Sequence, residues 1–398
     1  MPMSRPAERS TPLHIGIIGP SRFPVAEPFA GGLESHVWTL AGALRERGHR
    51  VSLFAAPGSD RRIAHRYRPL ELVAGPAEGR RDLSVDPRLE ADESAAYLSL
   101  MNHLADGGSR QLDIIHNHSL HELPLALAHR MSCPMVSTLH TPPIAAVRGA
   151  MRLQAHNRPF FVAVSSHAAD SWADASLPVG VVHNGVDTDL WRFGDGGARL
   201  IWFGRIVPEK GVELAIAAAR RLGRPIDIAG PIVDPHYFAS AVGSQLGPDV
   251  GYLGHLGQPE LAAAVGAAGA ALVTPRWDEP FGLVVAEALS CGTPVAAFRR
   301  GGIPEILTPA AGRLATPDDV ASLSGATSQA LLLPRDAVRR HALAEHSLTS
   351  MLGKYEAVYR HVISRHHRAT RRRAPHLPMV TTPHGPRSAS AGERALTT

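Results

Sequence analysis

The sequence predicts an α/β protein: two doubly wound, Rossmann-like parallel sheets facing each other across a cleft. Three observations carry this. Short apolar runs alternate with helical stretches along both halves of the chain, the pattern of repeated βαβ units. Ala, Gly, Leu and Val dominate while aromatics are only 5% of residues, a mix suited to helices packed closely on a parallel sheet. The 398 residues suffice for two domains of ordinary size, and a glycine-rich break at residues 191–197 separates the two alternations.

The elements follow in order. Residues 14–19 read as a buried first strand that ends in a Pro/Gly-rich loop. Residues 33–47 carry Val37, Leu40, Ala41 and Leu44 at helical spacing, and Gly48 stops that helix. Residues 51–55 form the next strand and complete a βαβ unit. Residues 58–95 read as irregular, 95–106 as a helix, 114–115 and 135–138 as strands with a helix at 124–130 between them, and 160–165 and 179–182 as further strands. The alternation restarts with strands at 200–203, 226–229, 250–253, 271–274 and 295–298 and helices at 212–222, 259–268 and 283–290. Residues 348–365 form a last helix with Met351, Leu352, Tyr355, Val358, Tyr359 and Ile363 at core spacing. The expected organisation is a disordered start at 1–12, an N-terminal domain at 13–195, a C-terminal domain at 196–346, a terminal helix at 347–365 and a disordered basic tail at 366–398.

Bulk chemistry narrows the function classes. The net charge is +5, but much of the excess sits in the tail, in His366-His367-Arg368 and Arg371-Arg372-Arg373. A solvated terminus is the expected reading; weak contact with an anionic membrane is the most the tail would add, and no nucleic acid is expected as a partner. Two cysteines, Cys133 and Cys291, imply no disulfide framework and fit a reducing compartment. The polar start is neither signal peptide nor anchor, and no apolar run reaches the length of a membrane span. The expected location is the cytoplasm, at most peripheral to the inner membrane face.

The most informative stretch is Trp277-Asp278-Glu279-Pro280-Phe281-Gly282-Leu283-Val284-Val285-Ala286-Glu287. Two acids flank Pro-Phe-Gly, one at a helix mouth and one on the first turns, an arrangement suited to gripping a polar ligand. Upstream, Gly204-Arg205-Ile206-Val207-Pro208-Glu209-Lys210-Gly211 follows a strand directly and offers two cations. Arg205 can bind two phosphate oxygens and Lys210 supplies a point charge, so both suit a diphosphate. Acids for hydroxyls and cations for phosphate point to a sugar nucleotide. Fixed cations would stabilise the charge that collects on a departing diphosphate.

With Ala229-Gly230-Pro231, Asp234-Pro235-His236-Tyr237-Phe238, Phe298-Arg299-Arg300-Gly301 and Thr138-Leu139-His140-Thr141-Pro142-Pro143, these stretches resemble glycosyltransferase family 4 over roughly residues 14–365. Within it they look similar to the subgroup named for the avilamycin-pathway glycosyltransferase. The resemblance implies the GT-B fold, retention of anomeric configuration, no cofactor and no metal. It implies a nucleotide diphosphate sugar as donor, UDP-glucose before GDP-mannose, and a hydroxyl acceptor: a small metabolite, a lipid or a glycan. It places acceptor in the N-terminal domain, nucleotide in the C-terminal domain, and the last helix back against the N-terminal domain. It also implies that Glu287 holds the ribose hydroxyls, and that Glu279, with the backbone N–H groups of Phe281, Gly282 and Leu283, lies near the donor sugar. Gly31 and Gly32 would lie near the donor phosphates and acceptor, and His140 would approach the donor sugar. Arg205, Lys210, Glu279 and His140 are thus the expected catalytic set, although Glu279 could also be a simple helix N-terminal acid and His140 a surface histidine.

Two metal-like patterns have blander readings. His116, His118 and His121 read as loop histidines lining the cleft. Asp187-Thr188-Asp189 reads as a turn. Glu34 and His36, on the first turn of the first helix, could face the acceptor. A non-catalytic nucleotide-sugar or glycan-binding protein, and a phosphorolytic or epimerase enzyme of the same fold, remain the alternatives. A dinucleotide oxidoreductase is disfavoured, because the first loop lacks the GxGxxG spacing.

Overall fold

A computed structural model describes residues 11–72, 87–153, 159–173 and 178–373. The first half forms a seven-stranded parallel sheet in the order β3-β2-β1-β4-β5-β6-β7. Its strands are β1 (His14–Ile18), β2 (Arg50–Ala55), β3 (Arg66–Pro69), β4 (Ile114–Asn117), β5 (Met135–Leu139), β6 (Phe160–Ala163) and β7 (Val179–Val181). They are joined through α1 (Gly32–Glu46), α2 (Pro87–Ala105), α3 (Glu122–Ala126), α4 (Ala145–Leu153) and α5 (Ser166–Trp172). β1 is entirely buried, as a strand covered by helices on both faces must be. β3 and the start of α2 fall within the stretch expected to be irregular, residues 58–95; β3 is an edge strand, whose half-exposed Arg-Tyr-Arg-Pro carries no apolar run to betray it.

The second half repeats the plan with six parallel strands in the order β10-β9-β8-β11-β12-β13. These are β8 (Leu200–Phe203), β9 (Ile226–Ala229), β10 (Val250–Tyr252), β11 (Ala270–Val273), β12 (Val295–Phe298) and β13 (Gly312–Ala315). The helices are α6 (Val212–Arg221), α7 (Pro235–Ala241), α8 (Gln258–Ala267), α9 (Leu283–Ser290), α10 (Ile303–Ile306), α11 (Val320–Ala330) and α12 (Arg335–Glu345). α13 (Leu348–Arg373) then crosses back: Met351, Leu352, Tyr355, Tyr359 and Val362 join one buried cluster with Ile17, Val37, Leu40 and Val136 of the first half. The helix runs eight residues beyond 365, so residues 366–373 of the expected tail are helical; His367 and Arg368 are exposed there. The rest of that tail, and residues 1–10, lie outside the described residues.

Both sheets reverse direction at a switch point, between β1 and β4 in the first and between β8 and β11 in the second. In an open parallel sheet, ligands bind outside the carboxyl ends of the strands at that point, because helices diverge there and leave a crevice. The loops after β1, β5, β8 and β11 meet across one cleft.

Candidate active site

The cleft encloses about 1250 Å³. From the first half its wall includes Phe23, Glu27, Gly31, Gly32, Glu34 and His140. From the second it includes Arg205, Lys210, Trp277, Glu279, Phe281, Gly282 and Leu283. Nine of the ten expected site residues therefore share one cavity, counting Gly31, Gly32, His140, Arg205, Lys210, Glu279, Phe281, Gly282 and Leu283.

Local backbone geometry explains how the cations are presented. β8 ends at Phe203, and Gly204 takes φ +149°, a region that L side chains rarely occupy. Arg205 then emerges with its guanidinium about 40% exposed and only a long contact of 3.7 Å to Glu209. Lys210 precedes Gly211, left-handed at φ 61°, whose missing Cβ lets the chain pass 2.5 Å from where the Thr274 carbonyl would strike it. The Thr274 hydroxyl bonds toward the Lys210 and Gly211 carbonyls at 2.9 Å each, and Trp202 Nε1 donates to Thr274 Oγ1 at 3.0 Å. The lysine turn is thus tied to the strand beside it.

Lys210 Nζ donates to Glu279 Oε2 at 2.6 Å, and its ammonium lies 5.2 Å from the centre of the Trp277 ring. Glu279 is held from beneath. Gly302 N donates to its carbonyl at 2.8 Å, and Gly301, at φ +56°, leaves no room for a Cβ against its backbone. Ser165 of the first half donates through Oγ to the Pro280 carbonyl at 2.5 Å. Gly282, at φ 93°, caps α9, and the first N–H groups of any helix have no partner within it. Opposite, a Cβ on Gly31 would come 4.0 Å from Arg205 Cδ, and one on Gly32 3.9 Å from Leu283 Cδ2. These are ordinary contact distances, so the start of α1 lies against the other half at Arg205 and Leu283.

Glu287 departs from expectation. It does not line the cleft but a small enclosed pocket with Ser35, His36, Gln258 and Leu283. Leu283 and Glu287 are four positions apart, so they share a helix face, and that face packs against α1. Leu283 borders both cavities and divides them. Burial pushes the Glu287 carboxyl up to about 8.

The histidines depart too. His116 and His118, on and just after β4, are fully buried and do not line the cleft, because β4 is a central strand. His118 Nδ1 lies 2.8 Å from His140 Nε2, and the His36 ring packs against both. His36 thus faces these rings and not the cavity, whereas Glu34 does line it. Burial holds His36 at about 4, and His116, His118 and His140 well below the ordinary range, so all four are neutral. Among the described residues the group that could hold a metal ion is His36, His118 and His140, with one ligand atom of each within 4.8 Å of the others. His121 lies elsewhere, its ring against Tyr97. Asp187 accepts from Asp189 N at 2.9 Å and Leu190 N at 3.3 Å, which is turn chemistry. Sequence reading missed Glu27, Leu120, Asn184 and Trp277 in the wall; only Trp277, beside Glu279, had a signal in its neighbourhood.

The comparisons with known proteins fit this architecture. Residues 30–190 match the model described as Glycosyltransferase Family 4, and residues 191–346 the one described as Glycosyl transferases group 1. Over 377 residues the chain is 30% identical to a glycogen synthase of Mycobacterium tuberculosis (strain ATCC 25618 / H37Rv), covering 80% of this chain and 87% of that protein. The chain belongs to glycosyltransferase family 4. A D-inositol 3-phosphate glycosyltransferase of Mycolicibacterium paratuberculosis (strain ATCC BAA-968 / K-10) is 29% identical over 391 residues, covering 85% of this chain and 87% of that one. Among solved structures, AviGT4, a glycosyltransferase involved in avilamycin A biosynthesis, matches with TM-score 0.64 and 22% identity over 89% of this chain and 98% of the other. Anabaena HepE, solved with UDP-glucose, matches with TM-score 0.65 and 16% identity over 87% and 99%. These likenesses show the GT-B fold. The protein is a hexosyltransferase, and no helix among its described residues is long and apolar enough to cross a membrane.

Proposed function

We propose that this family 4 enzyme moves a hexose from a nucleotide diphosphate sugar to a hydroxyl acceptor with retention of anomeric configuration. UDP-glucose is the first donor to consider and GDP-mannose the second; HepE was solved with UDP-glucose, and a glycogen synthase is among the relatives. The observation that carries the reading is the Lys210–Glu279 pair at 2.6 Å beside Arg205, at the carboxyl ends of β8 and β11 in a cleft large enough for a nucleotide sugar.

The anomeric C–O bond breaks toward the diphosphate, and Arg205 and Lys210 neutralise the charge that develops there. They do so in place of a metal ion. Glu279 holds Lys210 and faces the hexose, where it would support the positive character of the anomeric carbon. The acceptor hydroxyl attacks from the same face and passes its proton to the departing phosphate oxygen. The neutral His140 ring offers a hydrogen bond to the sugar, the first half of the chain receives the acceptor, and the second binds nucleotide. Closure about the cleft excludes water that would otherwise hydrolyse the donor. For Glu287 to hold a ribose, Leu283 and α1 must separate and open its pocket to the cleft.

The test is turnover of labelled UDP-glucose and GDP-mannose against a panel of glycans, lipids and small hydroxyl acceptors. Acceptor-dependent release of nucleoside diphosphate with a retained product supports the reading. Binding of nucleotide sugar without release under every acceptor would replace it with a non-catalytic role.

A further inference from the structure

α13 contributes more than apolar surface to the first half. Tyr355 and Tyr359, one turn apart and both fully buried, direct their hydroxyls toward β4 and β5. Tyr359 Oη lies 2.7 Å from His116 Nδ1, His116 Nε2 2.7 Å from Thr138 Oγ1, and Thr138 Oγ1 3.2 Å from Tyr355 Oη. The His116 ring packs on His118 with centroids 3.9 Å apart, and His118 Nδ1 meets His140 Nε2 at 2.8 Å. His140 follows β5 and lines the cleft. A continuous buried row of polar rings thus joins the terminal helix to the cavity, 243 residues apart in sequence at its Tyr359–His116 step.

A neutral imidazole carries one donor and one acceptor nitrogen, so each partner restricts which nitrogen holds the proton and how the ring is turned. His116 has hydroxyl partners on both nitrogens, and its ring packs tilted against that of His118, a contact that restricts how the second ring is turned; His118 Nε2 is buried without a hydrogen-bond partner among the described residues. His118 in turn occupies Nε2 of His140, leaving the Nδ1 edge for the cleft.

We propose that Tyr359 and Tyr355 are positioning residues: through His116 and His118 they set the orientation of the His140 ring at the sugar end of the cleft. This rests on the reading of His140 as a substrate-facing group. The crossing helix is then part of the active site's support as well as a clasp between the two halves.

The test compares wild type with Tyr359→Phe, Tyr355→Phe and the double variant, each retaining the packed ring and losing only the hydroxyl. Steady-state kinetics with UDP-glucose or GDP-mannose, thermal unfolding, and imidazole 15N–1H correlation spectra of histidine-labelled protein are recorded. The expected result is a fall in kcat on the order of tenfold in the double variant, with KM for the donor within about twofold and folding retained, and shifted imidazole signals for His116 and His140. Unchanged kcat with unchanged spectra would overturn the proposal, as would a loss of activity that only follows loss of folded protein. One equivalent of bound zinc in the purified enzyme, removed by His36→Ala, would also overturn it, since a metal would then order the rings. If no donor turns over, the functional reading fails by itself, and the spectra still decide whether the tyrosines order the His140 ring.

Discussion

Lys210 and Glu279 are 69 residues apart in sequence and 2.6 Å apart in space. With Arg205 beside it, Lys210 is a cation whose value lies in the transition state, so Lys210→Ala should lower kcat on the order of 10²-fold with a smaller change in donor KM. Steady-state assays of the folded variant check this; a change confined to KM would make Lys210 a ground-state binder only. Glu287 gives a different kind of prediction. Its carboxyl ordinarily titrates near 4.5, and burial lifts it to about 8. The folded chain therefore keeps a proton that the unfolded chain releases above 4.5. This contribution is most favourable below that value, weakens by about 1.4 kcal/mol per pH unit as pH rises, and levels off above the folded value. Glu287→Gln should accordingly gain stability relative to wild type between pH 5 and pH 8, a difference of a few kcal/mol at the upper end. Urea unfolding at both pH values decides it, and parallel curves would mean that the carboxylate is solvated.

The elements present these side chains because of a few backbone positions. Gly301 turns the chain under Glu279 at φ +56°, and an alanine Cβ there would sit 2.6 Å from the Glu279 nitrogen. Gly301→Ala should therefore cost about 1–3 kcal/mol of stability and displace Glu279. The readout is a kcat lower than the fall in folded fraction accounts for. Strands β1, β2, β8, β9, β11 and β12 were legible as apolar runs, because a strand covered on both faces is mostly apolar, and the few polar residues in them, such as Ser52 and Asp227, do not hide the run. β13 and the helices between β12 and α13 went unread, since Gly-Arg-Leu-Ala and the polar face of α12 carry weak periodicity. The Glu-Pro-Phe-Gly stretch was legible as a helix mouth. The direction in which its second acid points was not, because it depends on which face of α9 meets α1.

At the scale of the whole molecule, the two halves are joined by polar clasps as well as by α13. Glu305 of α10 accepts from Ser166 N at 2.8 Å and His167 N at 2.7 Å, at the start of α5 in the other half, and lies 3.3 Å from His183 Nε2. Burial pushes the Glu305 carboxyl up, but the donors from His167, Ser166 and His183 outweigh it and hold it below the ordinary range. Its stabilisation is thus complete above the unfolded value and disappears as pH falls through the lower folded one. Glu305→Ala should destabilise the protein by roughly 1–3 kcal/mol at neutral pH and lose that deficit in acid, measured by thermal or denaturant unfolding across the range. Gln258 Nε2 donates to Ser35 Oγ at 3.0 Å in the buried contact behind Leu283, and His255 Nε2 lies 3.2 Å from the Phe29 carbonyl at the surface, so the halves touch at two further points. A true donor binds only the folded chain and should raise its melting temperature; saturation at 100-fold over Kd adds about 2.7 kcal/mol. A thermal-shift panel in which neither UDP-glucose nor GDP-mannose moves the transition would remove both as donors.

The sequence by itself determined the α/β class, the two rounds of strand and helix, and the cations and acids of the cleft, because burial, strand ends and turn glycines are local requirements that write themselves into adjacent residues. Tertiary structure alone decided that Glu287 sits behind Leu283 instead of in the cleft, that His116 and His118 are buried beside His140, and that α13 reaches them with two tyrosine hydroxyls. Those outcomes depend on which helix face meets which sheet across hundreds of residues, and no pattern within a window of the chain encodes a contact whose partner lies outside it.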